Sequence, residues 1–133
     1  MPKTLFGLLS IAVLAMTTSA ATFAQSPPAV LGTWTGKVAQ NNNTGYTVVM
    51  TISANAAETE YPELKCGGKL TRAGAGNGYV FFTESITHGR KGSGGDCIDG
   101  TITVAPAAGK LVWGWVGAYN GETYVAWGTL ARK

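Results

Sequence analysis

Residues 110–131 read KLVWGWVGAYNGETYVAWGTLA, two runs rich in apolar residues that meet at Asn120-Gly121. In the first run Leu111, Trp113 and Trp115 stand two apart and share a face, which is the period of a β-strand and not of a helix. Asn-Gly suits a two-residue hairpin turn because both of its residues accept positive φ. The stretch therefore reads as two antiparallel strands, 110–118 and 122–131. Ala108-Gly109 joins a third run, 97–105, to the first of them and extends the hairpin into a meander.

The same period recurs toward the N-terminus. Residues 79–88, YVFFTESITH, set Val80, Phe82, Glu84 and Ile86 opposite Tyr79, Phe81, Thr83, Ser85 and Thr87, and Asn77-Gly78 before them is a second hairpin signal. The stretch 60–72 reads as one long strand or two short ones broken at Gly67-Gly68, where the glycines suggest a bulge or a sharp bend. Residues 46–53, YTVVMTIS, collect Tyr46, Val48, Met50 and Ile52 on one face. A first strand is expected over Gly32–Gln40, ended by the polar cluster 41–45. Residues 54–60, ANAAETE, hold helix formers, but seven residues without a cap make a marginal helix, and the segment is read as a loop.

Short-linked strands with no helix to cover them must bury their apolar faces against one another, and closing the sheet removes its exposed edges. The expected fold is all-β: an antiparallel up-and-down meander barrel of seven to eight strands, with a flattened β-sandwich as the alternative. At about eight strands the interior is either filled by side chains or holds one small ligand.

Ahead of this domain, residues 1–24 carry Lys3, an apolar run over 5–16 and small residues ending at Thr22-Phe23-Ala24, the pattern of a secretory signal peptide. The run falls short of the about 20 residues that span a bilayer. Residues 25–133 are then expected as a single exported domain, periplasmic or extracellular, without a membrane span in the mature chain. The short signal and the overall style look bacterial. Excluding Lys3, nine Lys and Arg stand against seven Asp and Glu, and they are scattered, which argues against nucleic acid as a partner.

In an oxidising compartment Cys66 and Cys97 are expected to form one disulfide. The two residues are 31 apart in sequence, and such a loop closure corresponds to about 3.7 kcal/mol on the chain-entropy account. As metal ligands they are poor: with His88, the only histidine, they supply at most three ligands without the close paired spacing of a zinc site. Neither a metal nor a cofactor is expected.

Gly32-Thr33-Trp34-Thr35-Gly36, GTWTG, resembles the first strand of calycin-type barrels, the lipocalin and avidin group, in which a Gly-x-Trp near the mature N-terminus opens the barrel. The resemblance covers that strand and the general meander. A lipocalin-like chain implies an apolar ligand inside the barrel, and an avidin-like one implies a biotin-like ligand. Small calycin-like barrels of bacterial envelopes also include inhibitors of proteases and lysozymes. The polar residues with which avidins hold their ligand find no counterparts here, and no site is carried over.

Several side chains are candidates for a site. Trp113 and Trp115, with Tyr119 and Tyr124 nearby, read either as core aromatics or as the lining of a pocket or recognition patch, and Leu111 on the same face favours core. Glu84 alternates with apolar residues. If that face turns inward, its carboxyl is desolvated and becomes a candidate acid or ligand contact; otherwise it reaches the barrel mouth or pairs with a base such as Arg72.

The run 88–96, HGRKGSGGD, lacks the lysine that a phosphate-binding loop needs, and no nucleophile elbow accompanies its histidine. It reads mainly as a turn, with Arg90 and Lys91 forming either a solvated tip or a basic finger for an acidic partner. These features point to a secreted non-enzymatic binding module, an inhibitor of another protein or a carrier of a small apolar ligand. An envelope structural or accessory protein and a hydrolase with a carboxylate-based site are the alternatives.

Overall fold

The computed structural model describes residues 26–133; the expected leader, 1–24, lies outside them. Eight strands follow in order: β1 (Gly32–Gln40), β2 (Asn43–Ile52), β3 (Ala57–Tyr61), β4 (Cys66–Gly76), β5 (Tyr79–His88), β6 (Gly100–Ala107), β7 (Lys110–Tyr119) and β8 (Glu122–Arg132). Each pairs antiparallel with its neighbour in sequence, and β8 returns to β1 through pairs such as Thr35 with Ala131 and Ala39 with Trp127. The result is a closed up-and-down barrel with no free edge. Its hairpins turn where expected, with φ of 50° and 82° at Asn77-Gly78, 49° and 76° at Ala108-Gly109, and 49° and 78° at Asn120-Gly121.

Three local expectations are corrected. The segment read as a loop over 54–60 contains most of β3, in which Ala57, Thr59 and Tyr61 are buried and Glu58 and Glu60 are exposed. Pairing with β2 on one side and β4 on the other outweighs the weak helix preference of alanine and glutamate. The first turn is also tighter than the polar cluster suggests, because β2 already begins at Asn43. Asn41 holds this turn to β8: its Nδ2 donates to Thr123 O at 3.3 Å and its Oδ1 accepts from Val125 N at 3.1 Å.

The break expected at Gly67-Gly68 falls instead at the 3-10 turn Pro62–Leu64, where proline cannot continue the ladder and Lys65 takes φ of 53°. Gly67-Gly68 carries a bulge in the pairing with β5, and β4 continues to Gly76.

One end of the barrel is filled. Inward residues of successive strands, among them Trp34, Met50, Phe82, Ile102, Leu111 and Trp113, are almost completely buried. Burying one such side chain contributes about 1.5 to 3 kcal/mol. The 3-10 turn Pro28–Val30 seals that end: Val30 is fully buried and its carbonyl accepts the Trp34 indole N–H at 2.9 Å. Arg132 covers the outside of the same tryptophan, with its guanidinium carbon 4.2 Å from the ring centroid, and donates to Leu31 O at 2.6 Å.

The opposite end, where β1, β3, β5 and β7 finish, stays open. The Cys66–Cys97 disulfide forms there and ties the start of β4 to the loop ahead of β6. Among the described residues no helix is long and apolar enough to cross a membrane.

Candidate functional site at the open end of the barrel

Alternation along β5 decides where its carboxylate goes. Val80, Phe82 and Ile86 point inward, so Glu84 does too, and it is 3% exposed. Three neutral donors from two other strands meet it. Thr59 of β3 donates its hydroxyl to Glu84 Oε1, Tyr61 donates to the same oxygen at 2.7 Å, and the Trp115 indole of β7 donates to Oε2 at 2.8 Å.

The indole is seated by glycines. A Cβ at Gly100 would lie 2.5 Å from Trp115 Cε2, and one at Gly117 would lie 2.6 Å from Cζ2, so both positions must stay bare for the ring to lie where it does.

Above this cluster a cavity of about 250 Å³ opens to solvent. Glu84 and Trp115 line it, and its walls include four tyrosines, Tyr46, Tyr61, Tyr119 and Tyr124, beside polar Gln40 and Asn42 and apolar Leu64 and Ile86. Tyr46 and Tyr61 pack edge to face with centroids 5.7 Å apart, and the Tyr46 hydroxyl donates to Gln40 at 2.9 Å.

The glycine-rich loop forms the remaining wall. Gly89, Gly92 and Gly94 take φ of 69°, 82° and 88°, which lets the chain fold back so that Lys91 N donates to Cys97 O at 2.8 Å. Lys91, Asp96 and Ile98 thereby reach the cavity. The Lys91 ammonium stands 5.3 Å from the centroid of the Tyr119 ring and 3.9 Å from Asp96 Oδ1.

Burial is the largest influence on Glu84 and pushes its carboxyl above the ordinary value, while the hydrogen bonds from Thr59, Tyr61 and Trp115 pull it back and the Asp99 carboxylate raises it further. Burial also raises Tyr61 and Tyr46, and the charge of Glu84 adds to both shifts. Outside the cavity Asp99 is held below its ordinary range by its hydrogen bond from Arg90, at 2.9 Å.

Of the side chains singled out from the sequence, the fold brings Trp115, Tyr119, Tyr124, Glu84 and Lys91 to one cavity. Two others lie elsewhere. Trp113 is a core residue one inward step deeper, 1% exposed, and its Nε1 has no hydrogen-bond partner among the described residues. Arg90 is no free finger: it clamps the loop to β5 and Asp99, donating to Ile86 O at 2.8 Å.

His88 stands on the outer surface, 3.1 Å from Glu60. Glu84 itself meets Thr59, Tyr61 and Trp115, whereas a base had been one expected partner.

Sequence reasoning missed Thr59 and Tyr61: Thr59 lies in the segment read as a loop, and Tyr61 fell in the stretch 60–72 read as strand without being named, since β3 ends there instead of running on. Tyr46 was assigned to the right face without being named as a site residue. No family model, curated protein or solved structure matches the chain.

Proposed function

We propose that this chain is a non-enzymatic binding module that holds a small ligand in the open end of its barrel. The observation that carries the reading is the cavity of about 250 Å³ whose lining includes the buried, hydrogen-bonded carboxylate of Glu84. A filled barrel needs neither a void nor a desolvated carboxyl group at its mouth, and keeping Glu84 there has a cost in stability.

The chemistry of the walls refines the carrier expectation. The sealed half is packed with side chains, and the open half combines aromatic faces with one directed acceptor. These features favour a ligand with a flat apolar part and a hydrogen-bond donor over a purely apolar one. Hydrolysis by two carboxylates is poorly supported, since the other acid on the cavity, Asp96, has 86% of its side chain exposed and stands beside Lys91.

The test is mass spectrometry of the solvent extract of purified protein, alongside tryptophan emission before and after extraction. A small molecule that co-purifies in proportion to the protein, and whose removal shifts the emission, supports the reading. An empty extract together with no response to any added small molecule rejects it.

A second reading, contact with another protein, is favoured by the outer wall. Val112 and Val116 of β7 and Val125 and Trp127 of β8 are exposed side by side, with Val116 opposite Val125 and Trp127 opposite Gly114. An inhibitor would use such a surface.

A further inference from the structure

We infer that the ligand of the mouth cavity carries a positive charge, an ammonium or amidinium group on a small apolar body, and that this group sits against Glu84 Oε2. The inference rests on the binding reading above and names its ligand class.

Its first support is the way Glu84 is held. Oε1 already accepts from Thr59 and Tyr61, which fills the capacity of a carboxylate oxygen, while Oε2 accepts from Trp115 alone among the described residues. One acceptor position therefore remains on the oxygen bonded to Trp115. All three protein partners are neutral. They orient the carboxylate and pull its proton affinity down, yet they bring no opposite charge to a group that burial destabilises as an anion. A ligand cation brings that charge.

The walls supply the second support. Tyr46, Tyr61, Tyr119, Tyr124 and Trp115 give the cavity an aromatic lining, and aromatic faces attract cations more strongly as water is excluded. The chain itself shows this attraction, since the Lys91 ammonium lies over the Tyr119 ring at 5.3 Å. Among the described residues Lys91 is also the one basic side chain on the lining. It leans on Asp96 and Tyr119 at the wall, and no hydrogen bond or ion pair joins it to Glu84. Its positive charge on the wall repels a cation entering the cavity, so removing it should help a cationic ligand.

The experiment uses four probes of similar size and follows the Trp115 indole resonance and tryptophan emission of the wild-type protein. Phenethylamine and benzyltrimethylammonium are the cations, phenethyl alcohol is the neutral counterpart and phenylacetate the anion. Both cations should saturate and move the Trp115 resonance, and phenethylamine should bind at least about tenfold tighter than phenethyl alcohol. Phenylacetate should not bind. Lys91→Met should tighten phenethylamine by about threefold, and Glu84→Gln should weaken it by about tenfold.

Outcomes that overturn the inference differ from those that overturn the binding reading. If phenethyl alcohol or phenylacetate moves Trp115 as well as phenethylamine does, the cavity binds ligands but charge does not select them. Charge selection is equally ruled out if Lys91→Met leaves phenethylamine unchanged or weakens it. If no probe moves Trp115 and the extract is empty, both readings fall. The wild-type comparison and Lys91→Met, a change on an exposed loop, keep the test decisive even if Glu84→Gln fails to fold.

Discussion

Trp115 and Glu84, on strands separated by β6, are joined by an indole hydrogen bond of 2.8 Å across the barrel interior. Replacing the indole by phenyl should therefore do more than remove volume. Trp115→Phe leaves Oε2 without its protein donor and should destabilise the fold by about 1 to 3 kcal/mol while raising the Glu84 carboxyl further. Trp113→Phe is the control, since the Trp113 indole nitrogen has no partner to lose among the described residues. Denaturant unfolding and a carboxyl NMR titration read the two effects. Equal behaviour of the two variants would contradict the account.

Glu84 also sets a pH dependence of stability. Its folded carboxyl binds the proton more tightly than the unfolded one, so the native state holds more protons between the unfolded and the raised folded value. Its contribution is fully present below the ordinary carboxylate value of about 4.3 and is lost as pH rises through the folded value. Subtracting the pH–stability curve of Glu84→Gln from that of the wild type should leave a curve that falls with rising pH across that window. Asp99, whose carboxyl is lowered by Arg90, contributes in the opposite sense and cancels in the subtraction.

The glycines beneath Trp115 are open to a direct test. Gly117→Ala would drive a methyl group against the ring, at 2.6 Å from Cζ2. The indole must tilt or the strand must shift, at about 1 to 3 kcal/mol, and probe binding in the cavity should weaken with it. Gly114→Ala, on the same strand, meets nothing closer than 4.0 Å and should be nearly neutral. Thermal unfolding of the pair measures the contrast.

Reducing the disulfide should act locally as well as globally. Cys97 anchors the loop that carries Lys91 and Asp96, so Cys66→Ser with Cys97→Ser should lose up to about 3.7 kcal/mol and loosen one cavity wall. Amide exchange over residues 89–97 should rise more than exchange in β7, which the neighbouring strands hold on both sides. Uniform acceleration would show the link to be a global staple only.

The architecture was legible wherever period and turn chemistry agreed. Residues 110–131 show both, and every one of the Asn-Gly and Ala-Gly turns took the positive φ it advertised. β3 was hidden because a five-residue strand offers only three inward positions, and here they are Ala57, Thr59 and Tyr61. The same gap concealed half of the site. Period set Glu84 on one face with Val80, Phe82 and Ile86 without deciding that the face turned inward, and its partners come from strands 25 and 31 residues away, a distance over which local pattern carries no information. Register also separated Trp113 from Trp115: they share a face, yet one lies within the sealed half and the other at the edge of the void.

The seam between β1 and β8 places Lys133 beside the start of β1, with Lys133 N donating to Thr33 O at 3.0 Å near the sealed end. A tag or tether attached at Lys133 therefore leaves from the pole opposite the cavity. The molecule can thus be immobilised on a sensor surface through Lys133 with its mouth facing the solution.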